Sequence, residues 1–513
     1  MVVSRRTTGN GAPTRRTADP LAALDGAGVS RHQIKIMFVS GMGFLADAYD
    51  LFVIGIVVSL LRTDWALTTS QVSWLNSATL AASAVGALVF GRIADIFGRR
   101  RVYGVEVLIL AAGALASAFA PNFSWLLVSR IVLGIGVGGD YPVSATIMSE
   151  YAGKRSRGRL VGLVFAMQGA GLVLGPLAAA VLLGSGISHG AVWRILLALG
   201  AVPALSVFYL RRKISETPRF ALAAGAADVA DAGIAAATAA RETRPPPLPC
   251  RNRHPQSIIG GFCVLVTNRL LLRWLVATAG TWFLLDFAYY GNTISSPQIL
   301  SLLSPHASLL HNTLIQLAIF AVFALPGYFL AIALLDKTGR RPIQLLGFGL
   351  MGTMFLLIGL VPGVTQNAAP FLALYGISFF FTEFGPNTTT FVYPAELFPV
   401  QVRTTGHGIS AALGKMGAFA GAFLFPVMLA SSLGIRGAEV VAALVLLAGL
   451  TLTAFLLPEP RGKSLEELSA QAYNLPGLAL APTRARAGTP GHARQRGASR
   501  TALKADETGG RWP

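Results

Sequence analysis

Charge is scarce in this sequence. Only 13% of its 513 residues are Asp, Glu, Lys or Arg, against about 25% in a typical soluble domain. Set beside 53% hydrophobic residues and a mean hydropathy of +0.59, that shortage excludes a soluble globule and points to a chain that crosses a membrane many times. Cysteine is almost missing. Cys250 and Cys263 cannot build a disulfide framework, and their spacing suits no zinc site. No nucleophile–base pair or metal-ligand cluster stands out, so no catalytic residue, metal or cofactor is expected. The opening stretch "MVVSRRTTGNGAPTRRTADP" lacks an apolar core and does not read as a cleaved signal peptide.

What the sequence has instead is apolar runs of spanning length. They fall near 36–61, 72–94, 102–120, 124–149, 159–184, 190–210, 272–297, 311–335, 342–362, 369–394, 405–431 and 437–457, and are numbered here as spans 1 to 12. The net charge of +19 lies in tails and short loops between these runs, which is the distribution topology requires and not a nucleic-acid footprint. "GRRR" (98–101), "KRSRGR" (154–159), "RRK" (211–213), "KTGRR" (337–341) and Arg403 all follow even-numbered spans. "PNFS" (121–124), "SGISHG" (185–190) and "PGVTQN" (362–367) carry no Lys or Arg; Arg62 and Arg436 are minor exceptions. The positive-inside rule then places both termini and the 212–270 loop in the cytoplasm of a cell-membrane protein.

That loop divides the spans six and six. The expected segments are a disordered basic tail at 1–34, a six-helix bundle at 35–211, the loop at 212–270, a second bundle at 271–458 and a largely disordered tail at 459–513. An alanine-rich piece of the loop is compatible with a helix. The halves repeat. "GRIADIFGRRR" (91–101) follows span 2 and "ALLDKTGRRP" (333–342) follows span 8, with Ile332 standing opposite Gly91. Glu150 and Arg157 flank the exit of span 4 as Glu396 and Arg403 flank that of span 10. A parallel repeat of six spans is a transporter signature.

At these residues the chain resembles the major facilitator superfamily. "SETPRF" (215–220) and "PEPRGKSLEEL" (458–468) are similar to its sugar-porter branch. "GMGFLADAYDLFVIG" (41–55), "GIGVGGDYPVSATIMSE" (134–150), "WFLLDFAYYGN" (282–292) and "FGPNTTTFVYPAELFPVQVRTTGHGISAALGKMGA" (384–418), in order, resemble the phosphate:H⁺ symporter family. The resemblance implies an all-α integral membrane protein of the major facilitator fold, with two six-helix bundles. It also implies import of inorganic phosphate with protons by alternating access, as a functional monomer in the bilayer. A symporter of another small anion, such as an organic acid, is the alternative within transport. A non-transporting phosphate sensor is the alternative outside it.

Ionisable residues inside spans are functional candidates by default. Trp282, Asp286 and Tyr290 recur at i, i+4 and i+8 and share one helical face. Tyr141, Gln168 and Asn387 add donors from spans 4, 5 and 10, and the matching family positions form the phosphate site. A carboxylate such as Asp286 accepts the O–H that phosphate carries and sulfate lacks. Asp47, Asp50, Arg130, Asp140 and Lys415 are the proton-coupling candidates. An Asp47–Arg130 pair that opens on protonation is expected, with Asp140 taking a proton when the cavity opens outward. Lys415 either attracts the anion or pairs with a carboxylate. Gly91, Asp95, Arg99, Glu150, Arg157, Asp336, Arg340, Glu396 and Arg403 are read as gating or structural. Glu383 departs from the family pattern, which usually has a small or amide residue there.

Overall fold

A computed structural model describes residues 20–238 and 259–473, all within one compact unit, Met1–Leu475. The readings made above for 1–19, 239–258 and 474–513, Cys250 among them, lie outside the described residues. Among the described residues the chain is almost entirely helical, with no strand.

Twelve helices are long and apolar enough to cross a membrane: Arg31–Asp64, Thr69–Phe97, Arg99–Ala118, Phe123–Tyr151, Arg157–Gly184, His189–Arg212, Arg269–Leu303, Leu309–Thr338, Arg340–Leu360, Ala368–Leu397, Arg403–Ala430 and Gly434–Leu456. These are the twelve predicted spans, each within a few residues. Large apolar side chains remain exposed along them, such as Phe119, Val181, Val202 and Leu444. A contiguous apolar surface of that kind belongs against lipid, and the protein is a multi-pass membrane protein.

Local chemistry sets the ends. "SRHQ" starts span 1 through a capping box, Ser30 and Gln33 each bonding the other's backbone N–H. Span 1 therefore begins inside the segment read as a disordered tail, and a further helix at Pro20–Gly26 precedes it. Thr68 and Gln71 repeat the box at span 2. Spans 2 and 8 both stop at a glycine with positive φ, Gly98 (97°) and Gly339 (106°). A Cβ there would also run into the carboxylates of Glu216 and Glu459. The described part of the 212–270 loop folds as short helices, Pro218–Ala223, Ala227–Thr238 and Gly260–Thr267, the second being the alanine-rich piece. Leu465–Ala472 follows span 12.

Spans 1 and 5, 2 and 4, and 3 and 4 pack together in the first half. Spans 7 and 11, 9 and 12, and 9 and 10 pack in the second. The halves meet along spans 2 and 11, 5 and 8, and 1 and 7. Span 10 is broken where the halves face each other. A π-helical turn covers Glu383–Asn387, with Gly385 at φ −105°, ψ −110° and Pro386 unable to donate. Thr388, Thr389 and Thr390 donate their hydroxyls to the carbonyls of Glu383, Gly385 and Pro386, at 2.7, 3.0 and 2.7 Å. The break thus keeps its backbone satisfied inside an apolar protein.

Candidate functional site

Span 7 presents Trp282, Asp286 and Tyr290 to the interior, each at most 1% exposed. Lys415 of span 11 reaches the same place. Its Nζ donates to the Tyr290 hydroxyl at 2.7 Å and lies 3.5 Å from Asp286 Oδ2. It also sits 4.3 Å from the ring centres of both Tyr141 and Tyr290. Tyr141 comes from span 4, in the other half. Its hydroxyl is 3.5 Å from that of Tyr290, and its ring is 6.1 Å from Trp282. Of the two expectations for Lys415, the ion pair is what forms. Lys415 meets Asp286 at Oδ2 only, and Oδ1 has no hydrogen-bond donor.

Gln168, Glu383 and Asn387 form a second group with Tyr328 of span 8. The Tyr328 hydroxyl donates to Gln168 Oε1 at 2.9 Å. Asn387 Nδ2 reaches the Tyr328 hydroxyl at 3.0 Å, Gln168 Oε1 at 3.3 Å, and the Glu383 carboxylate. Tyr289, next to Tyr290, lies against Glu383 and Tyr328 and joins the two groups. Phe44, Phe165 and Phe391 wall them off, with Phe165 stacked on Phe391 at 4.6 Å. The structure therefore brings the six predicted substrate residues into one buried polar centre fed by both halves. Tyr328, which completes it, was not singled out from the sequence.

The acidic residues of the first half separate into two places. Asp140 is held by Arg211, whose Nη1 and Nη2 donate to Oδ1 and Oδ2 at 2.8 and 2.9 Å. Arg211 Nη1 also reaches Glu106 at 3.0 Å, and Ser144 donates to Asp140. The guanidinium lies 4.6 Å from the Tyr103 ring centre. Arg211 was counted from sequence as a loop cation; it is instead fully buried at the end of span 6. Glu106 was overlooked, as was Glu439 of span 12, which accepts from Asn292 Nδ2 at 3.2 Å. The signal for both was available: an ionisable residue inside an apolar run.

The expected Asp47–Arg130 pair does not form. Arg130 sits with Asp50, 4.0 Å between Nη1 and Oδ1, and Nη2 donates to the Asp50 carbonyl at 2.8 Å. Helical rise explains the exchange. Arg130 precedes Asp140 by ten residues in span 4, or roughly 15 Å. Asp140 packs at the level of Gly43 in span 1, so Arg130 lies level with a residue well beyond Gly43. Asp50 is closer to that level than Asp47. Asp47 is left with neither oxygen hydrogen-bonded, in the field of Asp140, Arg211 and Lys415.

On the face bearing the basic loops, two matching charge clusters tie the halves together. Glu150 takes Arg99 of its own half at 3.1 Å and Arg403 of the other at 3.0 Å. Glu396 takes Arg340 at 2.6 Å and, across the boundary, Arg157 at 3.1 Å. Asp95 bonds Arg99 at 3.0 Å and caps the start of span 11 through Thr405, whose N–H and hydroxyl lie at 2.7 and 2.6 Å. Asp336 bonds Arg340 at 3.0 Å and accepts from the Arg159 N–H at 2.8 Å at the start of span 5. Gly91 sits where spans 2 and 11 touch; a Cβ would come within 2.8 Å of the Thr404 carbonyl. Every predicted gating residue thus falls in one of these contacts. On the other side of the centre, Phe52 of span 1 stacks on Tyr290 of span 7 at 5.3 Å.

The family described as "Sugar (and other) transporter" matches residues 35–472. The chain is 37% identical over 526 residues to "Inorganic phosphate transporter 1-6" of Oryza sativa subsp. japonica, covering 90% of this chain and 97% of that one. It is 36% identical to "Probable inorganic phosphate transporter 1-6" of Arabidopsis thaliana, covering 88% and 96%. In fold it is similar to the solved structure of the major facilitator proton:xylose symporter XylE bound to 6-bromo-6-deoxy-D-glucose. The TM-score is 0.74 at 21% identity, over 86% of this chain and all of that one. With twelve spans, the repeated charge clusters and a family match over nearly the whole membrane body, the chain belongs to the sugar (and other) transporter family of the major facilitator superfamily.

Proposed function

We propose that this protein imports inorganic phosphate together with protons by alternating access, using the polar centre between its halves as the binding site. The observation that carries the reading is Asp286, a fully buried carboxylate with Lys415 3.5 Å from Oδ2 and no hydrogen-bond donor on Oδ1. It stands beside Lys415 and a ring of neutral donors from both halves. An unpaired buried polar group is costly. Protonated phosphate relieves it by donating its own O–H to Asp286, while Lys415, Trp282, Tyr290 and Tyr141 donate to the remaining oxygens. The names of the relatives in rice and Arabidopsis support the same substrate.

The described conformation is then the occluded one. Spans 35–211 and 271–458 rock against each other about this site, within a single chain in the cell membrane with both termini cytoplasmic. The Glu150 and Glu396 clusters hold the cytoplasmic side shut. Asp47 and Asp140 are the proton-coupling carboxylates, and Asp140 takes its proton when its pair with Arg211 parts. Asp50 and Arg130 form a separate pair nearer the outer face. Uptake of labelled phosphate into proteoliposomes tests this. A pH gradient, acid outside, drives accumulation, and sulfate does not compete. Asp286→Asn, whose amide NH2 can donate to sulfate where the carboxylate can only accept, loses the preference for phosphate over sulfate. Facilitated uptake that ignores the gradient, or equal competition by sulfate, refutes the reading.

One observation favours a second substrate class. Glu383 adds another carboxylate to the site, with Oε1 unbonded. A small organic acid bearing a hydroxyl supplies the extra donor that Glu383 accepts. Competition of labelled phosphate by hydroxy acids separates the two.

A further inference from the structure

The charge on the basic face is unevenly used. Arg99, Arg157, Arg340 and Arg403 close the two clusters, and Arg219 bonds Asp25 at 2.8 Å and Glu466 at 2.9 Å. Three neighbouring arginines take part in none of this. Arg100 and Arg101 follow Arg99 in the turn after span 2, and Arg212 is the last residue of span 6. Among the described residues, none of their guanidiniums lies within ion-pair distance of a carboxylate. All three line one cavity of about 610 Å³. The carboxylate in its wall, Glu216, is turned to the backbone instead. It accepts the N–H groups of Arg99, Arg100 and Thr217 at 3.2, 3.3 and 3.1 Å.

Topology alone does not account for the cluster. Arg341 is the counterpart of Arg100 in the second half, and its guanidinium donates to the Ala454 carbonyl. Pro342 stands opposite Arg101, and Leu456 closes span 12 where Arg212 closes span 6. The repeat therefore does not require three unpaired cations at this spot. The rim is also unusual, since Phe97 is 56% exposed and Val229 43%. Phe97 ends span 2 and Arg212 ends span 6, so the cavity lies at the level of the span ends, the depth of lipid headgroups.

We propose that this cavity binds the headgroup of an anionic phospholipid. Arg100, Arg101 and Arg212 take the phosphodiester oxygens, whose charge no headgroup ammonium offsets. Phe97 and Val229 cover the glycerol and the first methylenes. Three cations repel the ammonium of a zwitterionic headgroup, and a free anion gains nothing from the apolar rim. The site bears on the gate. Phe220 lines the cavity, and its ring centre lies 4.2 Å from the Arg99 guanidinium that holds Glu150. A lipid seated here braces Phe220 against Arg99 and steadies the closed basic face.

The test is binding, so it stands apart from the transport reading. The purified full chain is titrated with phosphatidylglycerol or phosphatidylcholine in detergent, and bound lipid is counted by native mass spectrometry. Phosphatidylglycerol should saturate at one tightly held molecule, with phosphatidylcholine much weaker. Replacing all three arginines (Arg100→Gln, Arg101→Gln, Arg212→Gln) should weaken that binding by about tenfold or more. Val229→Trp fills the cavity without altering charge and should do the same; it decides alone if the triple variant fails to insert. Unchanged binding in Val229→Trp overturns the proposal. So does displacement of the lipid by millimolar inorganic phosphate, which would make this a free-anion site.

Discussion

Arg211 holds Asp140 through both terminal nitrogens, at 2.8 and 2.9 Å, and shares one of them with Glu106. One guanidinium thus faces two carboxylates in a fully buried place, with the unpaired Asp47 in the same field. Lys415 is a second cation in the field of Asp47. In the proposed cycle, neutralising Asp140 is what releases the grip of Arg211 on span 4.

Asp140→Asn tests that directly. The amide keeps the shape, and Glu106 still neutralises Arg211, so the variant should fold and bind phosphate. It should lose uphill accumulation driven by a pH gradient, because the site can no longer alternate in charge. Arg211→Ala should be far worse for folding, by roughly 3–5 kcal/mol, since it strands buried carboxylates. Wild-type accumulation in a well-folded Asp140→Asn protein would return the residue to a packing role.

The charge clusters on the basic face predict a local loosening. Glu150→Gln removes the anion that Arg99 and Arg403 share across the halves. Hydrogen exchange should then rise at the end of span 4 and the starts of spans 3 and 11, with the centre of the spans unchanged. Glu396→Gln should do the same at the end of span 10 and the starts of spans 5 and 9, and the double variant should show both patterns, each stronger than in the single variants. No change in the double variant would mean the clusters do not hold this face shut.

Much of this architecture is legible in the sequence, because lipid demands unbroken apolar runs and the loop signature repeats at both span 2 and span 8. Asp95, Arg99, Glu150 and their counterparts could be placed at the span ends from the repeat, but spacing set Glu150 beside Arg157 and Glu396 beside Arg403. The structure crosses them, Arg403 to Glu150 and Arg157 to Glu396. What misled was depth. Arg211 stands in "RRK" beside cations that do set topology, and nothing in its neighbours reveals that the helix continues and turns it inward. Arg130 could be matched to span 1 but not to the right turn of it, since choosing between Asp47 and Asp50 needs the relative height of two helices. Tyr328 is a lone tyrosine in an apolar run; only the break in span 10 brings Asn387 up to it.

Orientation is checkable without transport. Gln366, in the turn after span 9, is exposed. In a variant lacking Cys250 and Cys263, Gln366→Cys should react with an impermeant maleimide on intact cells. Thr338→Cys, at the end of span 8, should react only after permeabilisation. The opposite pattern would invert the assignment of the basic face to the cytoplasm.

Glu383 makes the last prediction, on proton number. It is buried in the site, bonded by Asn387 and facing the phenols of Tyr289 and Tyr328, with no basic side chain in ion-pair reach among the described residues. Lys415, the nearest intramembrane cation of this half, is committed to Tyr290 and Asp286. An ionised Glu383 beside a bound anion would be repelled by it as well as desolvated. The proposed import cycle therefore predicts a proton on Glu383 in the substrate-loaded site, travelling with the anion. Glu383→Gln keeps the shape and fixes the neutral form, so substrate affinity should change less than threefold, about 0.6 kcal/mol. The proton:substrate ratio should fall by one. The ratio is read from the pH gradient that just balances an opposing phosphate gradient in proteoliposomes, at fixed membrane potential. An unchanged balance point in a variant that still transports would show that Glu383 stays in one protonation state throughout the cycle and serves only to position Asn387.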